Sequence, residues 1–439
     1  MNKLSRRDFI RTAGGFTLLS AYGFPLFAST AESTASAAAP ATPAATKARV
    51  IVIGGGYGGT IAAKYIRMAD PAIEVTLIEK HAEFISCPLS NEVLSGERDL
   101  KSLTFNYKGL EAHGVKVVIA EVTAIDPVKK SVTAGGQELA YDKLVVSPGV
   151  DYKWDSIQGH SAELAESKIP HAWKAGAQTA LLRKQIEGMK DGGKVIITAP
   201  PDPFRCPPGP YERAAQIASY LKHHKPKSKV IILDDKAGFS KQSLFTQGWQ
   251  MHYGDMIEWV SGEQGGKISA VNPDAMTVTG ELEDFSADVI NIIPPQKAGP
   301  IAFAAGLTNE SGWCPVDQRT FESTIHKDVY VIGDACIAGK MPKSGYAANS
   351  HGKVCAAAIA ASVNGTPIPE PSYVNTCYSV IAPNHGISVA AVYRLEGKEI
   401  VPVPDSGGIS PLGASERDRA LEAEYAYSWL KNITSDMFG

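Results

Sequence analysis

"RVIVIGGGYGGTIAAKYIRMADPAIEVTLIEK", residues 49–80, decides the fold. A β-branched strand, Val50 to Ile53, runs into Gly54-x-Gly56-x-x-Gly59. A helix pattern follows, then a second strand, Glu74 to Ile78, which ends in Glu79 and Lys80. Gly54 permits the tight turn, Gly56 lets a pyrophosphate approach the backbone, and Gly59 lets the helix pack on the strand. The helix N-terminus offers unpaired N–H groups to the phosphates. Glu79 is placed to accept ribose hydroxyls, which favours FAD or NAD over NADP because a carboxylate repels a 2′-phosphate. Strand, glycines, helix, strand and acid in this order define a dinucleotide-binding unit.

A second stretch chooses between those nucleotides. "VYVIGDACIAGKMPKSGYAANSHGKVCAAAIA", residues 329–360, is a strand ending in Gly333-Asp334 and followed by a small-residue helix. It resembles the second flavin fingerprint of the glutathione reductase superfamily, in which the aspartate holds the ribityl chain of FAD. "YDKLVVSPGV", residues 141–150, matches the strand that precedes the inserted domain of that superfamily. The resemblance implies FAD as the first nucleotide; Lys343, after the second fingerprint, is a candidate flavin contact or else simply solvated.

In that superfamily an inserted domain binds NAD(P)H with its own glycine loop. Here the insert carries a strand, "KVIITAPP" at 194–201, a helix pattern, "YERAAQIASYLK" at 211–222, and another strand, "KVIILDD" at 229–235. The loop between them, "PDPFRCPPGP", offers only Gly209, and prolines at 207, 208 and 210 have no backbone N–H to give a phosphate. The insert is therefore expected not to bind a nicotinamide cofactor, and electrons must reach the flavin another way.

Six cysteines suggest the route: Cys87, Cys206, Cys314, Cys336, Cys355 and Cys377. Spacing alone leaves their pairing open. The segments "CPLSNEVLSG" (87–96), "RCPPGPYERA" (205–214), "GDACIAGKMPKSGYAANS" (333–350), "NTCYSVIAPNHGISVA" (375–390) and "NITSDMFG" (432–439) together resemble the flavoprotein subunit of flavocytochrome c sulfide dehydrogenase. The resemblance implies that Cys87 is joined to FAD by a thioether and that Cys206 and Cys377 form a redox-active disulfide against the flavin. It also places Glu212 near the ring as a proton acceptor. Hydrosulfide would open the disulfide by exchange, leaving a persulfide and a thiolate. Two electrons would pass to the flavin and then, singly, to a separate c-type cytochrome subunit. This chain has no Cys-x-x-Cys-His, so the haem c belongs to that partner.

Each assignment has a structural rival. Cys87 could be a plain buried cysteine, the 206–377 pair a stapling bridge, and Glu212 a partner of its helix dipole. Cys314 and Cys336 remain open between a bridge and free thiols, Cys355 reads as core, and Trp429 as an interface residue. The histidines show no metal-ligand spacing, so no metal is expected.

The chain has 439 residues, 44% hydrophobic and 20% charged, with a net charge of −3 and no long basic run. This excludes a nucleic-acid footprint and allows several cores. "SRRDFIRTAGGFTLLSAYGFPLFASTA", with Arg6 and Arg7, resembles a twin-arginine export signal, which implies the periplasm. Its apolar stretch falls short of the ~20 residues of a span, so no stable membrane insertion is expected. The fold expected is α/β, with two Rossmann-like dinucleotide-binding domains (glutathione reductase-like) and a C-terminal α+β interface domain. The boundaries read as signal and linker 1–46, FAD-binding domain 47–160 and 285–365, insert 161–284, and interface domain 366–439. A sulfide:quinone oxidoreductase ranks second because the tail "GASERDRALEAEYAYSWLKNITSDMFG" is charged. An electron-relay subunit without sulfide chemistry ranks lower.

Overall fold

The computed structural model describes residues 46–439. Arg6, Arg7 and the linker lie outside the described residues. The chain begins with β1 (Ala48–Ile53), α1 (Gly59–Ala69), β2 (Ile73–Glu79), β3 (Lys116–Ile119) and β4 (Lys143–Val146), and crosses out through β5 (Val150–Tyr152). The insert comprises α2 (Ala177–Gly188), β6 (Lys194–Ala199), α3 (Gly209–His224), β7 (Lys229–Asp234), α4 (Gln242–Tyr253), β8 (Ile257–Val260) and β9 (Val289–Asn291). The return strand β10 (Gln296–Ala298) pairs antiparallel with β5. Then come β11 (Val329–Val331), α5 (Gly345–Asn364), the sheet strands β12 (Ser372–Ala382), β13 (His385–Glu396) and β14 (Glu399–Pro402), and α6 (Glu416–Phe438).

The first sheet runs β11-β4-β1-β2-β3, all parallel. Its direction of winding reverses between β1 and β4, and ligands of open α/β sheets bind outside the strand ends at such a point. The unbroken apolar runs "VIVI" and "LVV" suit strands covered on both faces, and Val50, Val52, Leu144 and Val145 are essentially inaccessible. The second sheet, β8-β7-β6-β9, is also parallel and repeats that winding. Strand β9 pairs with β6 through Val289, Ile290 and Asn291. The insert therefore runs past the expected boundary at 284; "VIN" is apolar enough to be a central strand, but three residues are too few to show a period.

The third sheet is antiparallel, and β12 lies against α3, α5 and α6. Helix α6 starts with a capping box in which Ser415 and Asp418 bond each other's backbone N–H. It buries Arg419, Ala423, Ala426, Leu430, Ile433, Thr434 and Met437, one stripe at helical spacing, and leaves its other charged residues at least partly exposed. That stripe is why a tail rich in Glu, Asp and Arg still packs. Among the described residues no helix is long and apolar enough to cross a membrane.

Helix α3 is the buried axis of the molecule. Every residue from Gly209 to Leu221 is buried, polar ones included, so its polar side chains must find partners inside the protein. Those partners build the site.

Candidate active site

A groove of about 1380 Å³ opens at the switch point of the first sheet. Gly54 to Gly58, Glu79, Lys80, Cys87, Ser147, Arg205, Gly333, Asp334 and Gly345 contribute to its walls. Gly54 has φ +98°, and a Cβ on Gly59 would come within 1.8 Å of the Gly54 carbonyl oxygen. The helix can therefore meet the strand end only with glycine there. Gly59→Ala is expected to cost about 1–3 kcal/mol by overpacking, read as a lower urea unfolding midpoint; an unchanged midpoint would contradict this packing.

Glu79 accepts from the Gly55 N–H at 2.7 Å and from the His81 N–H at 3.1 Å. Each oxygen keeps acceptor capacity for a ribose hydroxyl. Asp334 Oδ1 is buried with no partner. Burial raises its carboxyl pKa, opposed by Arg205 and Lys343. A polyol chain in the groove would satisfy that oxygen, so these residues fit an extended flavin dinucleotide. Lys343 does not line the groove. Its ammonium donates to the carbonyls of Asp334 (2.7 Å) and Cys336 (2.9 Å) and sits 3.8 Å from the Trp313 ring centroid, in a neighbouring cavity of about 480 Å³. Its ammonium thus braces the Asp334 loop, which lines the groove.

Cys87 lines the groove with its sulfur 3.5 Å from the Ala175 N–H, and Lys174 and Arg205 line the same wall. Trp429 lies one layer behind, stacked on Tyr57, which does line the groove, at 6.4 Å between centroids.

The loop "RCPPGP" enters the site from the insert. Cys206 has φ +59°, donates its N–H to the Lys343 carbonyl (2.8 Å) and accepts at its own carbonyl from Gly209 (2.8 Å). A Cβ on Gly209 would stand 2.4 Å from the Trp173 ring and 3.1 Å from the Cys206 sulfur, so this glycine is what lets α3 begin so close to the thiol. Pro210 occupies the first turn, where a missing N–H costs nothing. The Cys206 thiol pKa is raised by burial and by the neighbouring Cys377 and Glu212. Cys377, on β12, is raised by burial but opposed by Lys241 and by Asn375. The structure brings the two cysteines together, yet all six cysteines are free thiols. The loop and β12 place the two sulfurs of the expected pair as neighbours, unbridged in this structure.

Glu212 is buried one turn into α3. Its Oε1 accepts from the Val380 N–H of β12 (2.8 Å) and its Oε2 from Asn91 Nδ2 (2.9 Å). Burial raises its pKa, and these two donors oppose the rise. It therefore ties β12 to α3 while standing beside both thiols. Cys314 and Cys336 face each other as partners in a single β-bridge and are buried thiols, and Cys355 is buried in α5. Among the described residues no cluster of His, Cys, Asp and Glu could hold a metal.

Three features escaped sequence reasoning. Arg205 stands in the quoted loop but draws no attention beside a cysteine. Lys241, buried against Cys377, has no local signal in "GFSKQSLF". Asp234 ends β7 where Glu79 ends β2, the place of a second ribose acid. It is fully buried and taken up by the Tyr211 hydroxyl (2.5 Å), Trp259 Nε1 (3.0 Å) and Lys236 (2.6 Å). Phe239 stacks on Tyr211 at 3.6 Å. Side chains thus occupy the place of a second nucleotide, independently of the lost glycine loop.

Two parallel nucleotide-type sheets, a flavin groove at the first and a filled site at the second define a two-dinucleotide-fold flavoprotein. Comparison with known proteins narrows the class. Residues 48–180 match the pyridine nucleotide-disulphide oxidoreductase family, and 179–294 match the central region of the sulfide dehydrogenase [flavocytochrome c] flavoprotein chain. Residues 369–438 match the flavin-binding region of flavocytochrome c sulphide dehydrogenase. The flavoprotein chain of that enzyme from Chlorobaculum thiosulfatiphilum is 56% identical over 45 residues, which are 94% of that sequence and 10% of this chain. The chain belongs to the flavocytochrome c sulfide dehydrogenase flavoprotein family. Mitochondrial sulfide:quinone oxidoreductase of Mus musculus is 22% identical over 301 residues, and the chain spans about 65% of its length. The structure of the sulfide:quinone oxidoreductase of Aquifex aeolicus shares the fold, with a TM-score of 0.70 at 18% identity, covering 88% of this chain and 92% of that one.

Proposed function

We propose that this chain is the flavoprotein subunit of a periplasmic sulfide dehydrogenase. It oxidises sulfide to zero-valent sulfur or polysulfide and passes electrons to a separate c-type cytochrome. The observation that carries this reading is the meeting of Cys206 and Cys377 with Glu212, Arg205 and Lys241 beside the groove, in a molecule whose second nucleotide place is filled by Tyr211 and Phe239. In the oxidised state Cys206 and Cys377 form a disulfide, the sulfur electrophile that hydrosulfide opens. Bound flavin supplies a two-electron acceptor that can discharge one electron at a time. Cys87 holds it by a thioether, and Gly54, Gly56, Glu79 and Asp334 hold its dinucleotide and ribityl parts.

Glu212 receives the proton released as the persulfide is consumed, since a carboxylate with a raised pKa is a better base than an exposed one. Glu212→Gln is expected to slow sulfide-driven flavin bleaching by about 10²-fold with flavin content unchanged. Bleaching at the parental rate in stopped flow would reduce Glu212 to its packing role. Arg6 and Arg7 direct export by the twin-arginine pathway.

A second reading keeps the sulfide chemistry but delivers electrons to a quinone; the likeness to sulfide:quinone oxidoreductases favours it. Sulfide-reduced protein mixed anaerobically with a c-type cytochrome or with a soluble ubiquinone analogue separates the two. Fast reoxidation by the cytochrome alone supports the proposal, and fast reoxidation by the quinone alone supports the second reading.

A further inference from the structure

Lys241 is the one element of the sulfur cluster that neither motif nor packing accounts for. It stands at φ +61° immediately before α4 and is 5% exposed. Its ammonium donates to the Cys377 carbonyl (3.1 Å) and to Ser379 Oγ (2.9 Å), and makes no ion pair among the described residues. A buried ammonium with only neutral acceptors is costly, and here the groups close enough to offset its charge are Cys377, Glu212, Cys206 and, more weakly, Glu422.

The surroundings of the two sulfurs differ. Asn375, which lies two residues before Cys377 on β12, places Nδ2 3.6 Å from its sulfur, and Asn375 is itself held by Ser344 Oγ at 2.5 Å. Tyr393, across the hairpin on β13, also senses this cysteine, as do Glu212 and Cys206. Both thiols feel the Glu212 carboxylate, which resists a second negative charge: at Cys206 it outweighs Arg205 and Lys241, whereas at Cys377 it ranks below Lys241, Asn375 and Ser344. In thiol–disulfide exchange the sulfur with the lower thiol pKa leaves faster, so the partner is the one attacked.

Resting on the sulfide-oxidising reading above, we propose that Lys241 polarises the Cys206–Cys377 couple, so that hydrosulfide attacks the Cys206 sulfur and Cys377 departs as the thiolate. The S–S bond between the cysteines breaks and a new S–S bond forms: HS⁻ and the disulfide give a Cys206 persulfide and a Cys377 thiolate. The incoming sulfur is oxidised as Cys377 is reduced, and charge is conserved without another reactant. Lys241 acts as a positioning residue, through the backbone and field at Cys377. Glu212 and Lys241 reach both sulfurs, but Lys241, Asn375 and Ser344 prevail at Cys377 and Glu212 prevails at Cys206, and that difference makes the couple directional.

The test uses the full chain with its flavin, reduced anaerobically with dithionite, then labelled with iodoacetamide across a pH series and peptide-mapped. Cys377 is expected to titrate at a lower apparent pKa than Cys206. Lys241→Met should slow Cys377 labelling near neutral pH about tenfold, one pKa unit, and Lys241→Arg should restore most of it. Equal titration of the two cysteines in the parent, Cys206 titrating lower, or Cys377 labelling unchanged in Lys241→Met would overturn the proposal. The parental comparison stands even if the methionine variant does not fold. Labelling involves no sulfide, so a protein that shows the split but is not bleached by sulfide would disprove the sulfide reading and leave the polarity intact.

Discussion

Cys206→Ser is expected to lower the rate of sulfide-dependent flavin reduction by at least about 10³-fold, the scale seen when a sole nucleophilic or electrophilic group is removed from an active site. A serine hydroxyl cannot form the disulfide that hydrosulfide opens, and no other cysteine can replace it. Cys314, Cys336 and Cys355 are buried, and neither they nor Cys87, which lines the groove, is among the groups that perturb Cys377. The substitution is nearly isosteric, and the backbone bonds of residue 206 to Lys343 and Gly209 do not involve the side chain. Flavin content and unfolding midpoint are therefore expected to stay at parental values. A variant that keeps the parental bleaching rate would remove Cys206 from the chemistry; one that loses its flavin would make the cysteine structural.

Arg213→Met has the largest expected effect on stability. The guanidinium is 2% exposed and donates to the carbonyls of His171 (2.8 Å) and Ala172 (2.6 Å) and to the side chains of Asn91 (3.1 Å) and Asn291 (2.9 Å). It also lies 4.9 Å from the centroid of the Trp173 ring. Burial lowers its pKa to about 10, so it stays charged at neutral pH. The His171 carbonyl keeps the Asn291 amide, but the methionine strands the buried Ala172 carbonyl and Asn291 Oδ1, at about 1–3 kcal/mol each, so a loss of about 2–6 kcal/mol is expected. That is a large fraction of the ~5–15 kcal/mol that holds a typical domain together. The segment released also carries Trp173, which abuts Gly209, and Ala175, which bonds Cys87. Urea unfolding followed by circular dichroism and flavin fluorescence measures both consequences. Arg213→Lys should recover only part of the loss, since one ammonium cannot reach four acceptors spread around a plane. A midpoint unchanged in Arg213→Met would mean that the network contributes little.

The parallel sheets, the groove and its glycines were legible because β-branched runs, a glycine turn and a terminal acid are local patterns whose spacing follows from backbone geometry. Strand β9 was not, because three residues carry no period, and the insert therefore ends later than its composition suggested. The loss of the nicotinamide loop was legible in the prolines after Cys206. The filling of the second ribose place was not, because Tyr211, Phe239, Trp259 and Asp234 meet only in three dimensions. The same holds for Lys241 and Arg213. Their roles depend on burial, which a charged residue in a sequence conceals, and α3 looks like an ordinary amphipathic pattern until every face of it is found covered. The bracing of the Asp334 loop by Lys343 was not legible either, because closeness to a flavin fingerprint in sequence does not say which carbonyls its side chain will choose.

The measurement that bears most directly on this account is anaerobic addition of one equivalent of sulfide to the oxidised, flavin-loaded full chain, with flavin absorbance followed in time and the trapped product peptide-mapped. The account predicts prompt bleaching, with one added sulfur atom on the Cys206 peptide. Absence of bleaching, or bleaching that persists when Cys206 and Cys377 are both replaced by alanine, would contradict it.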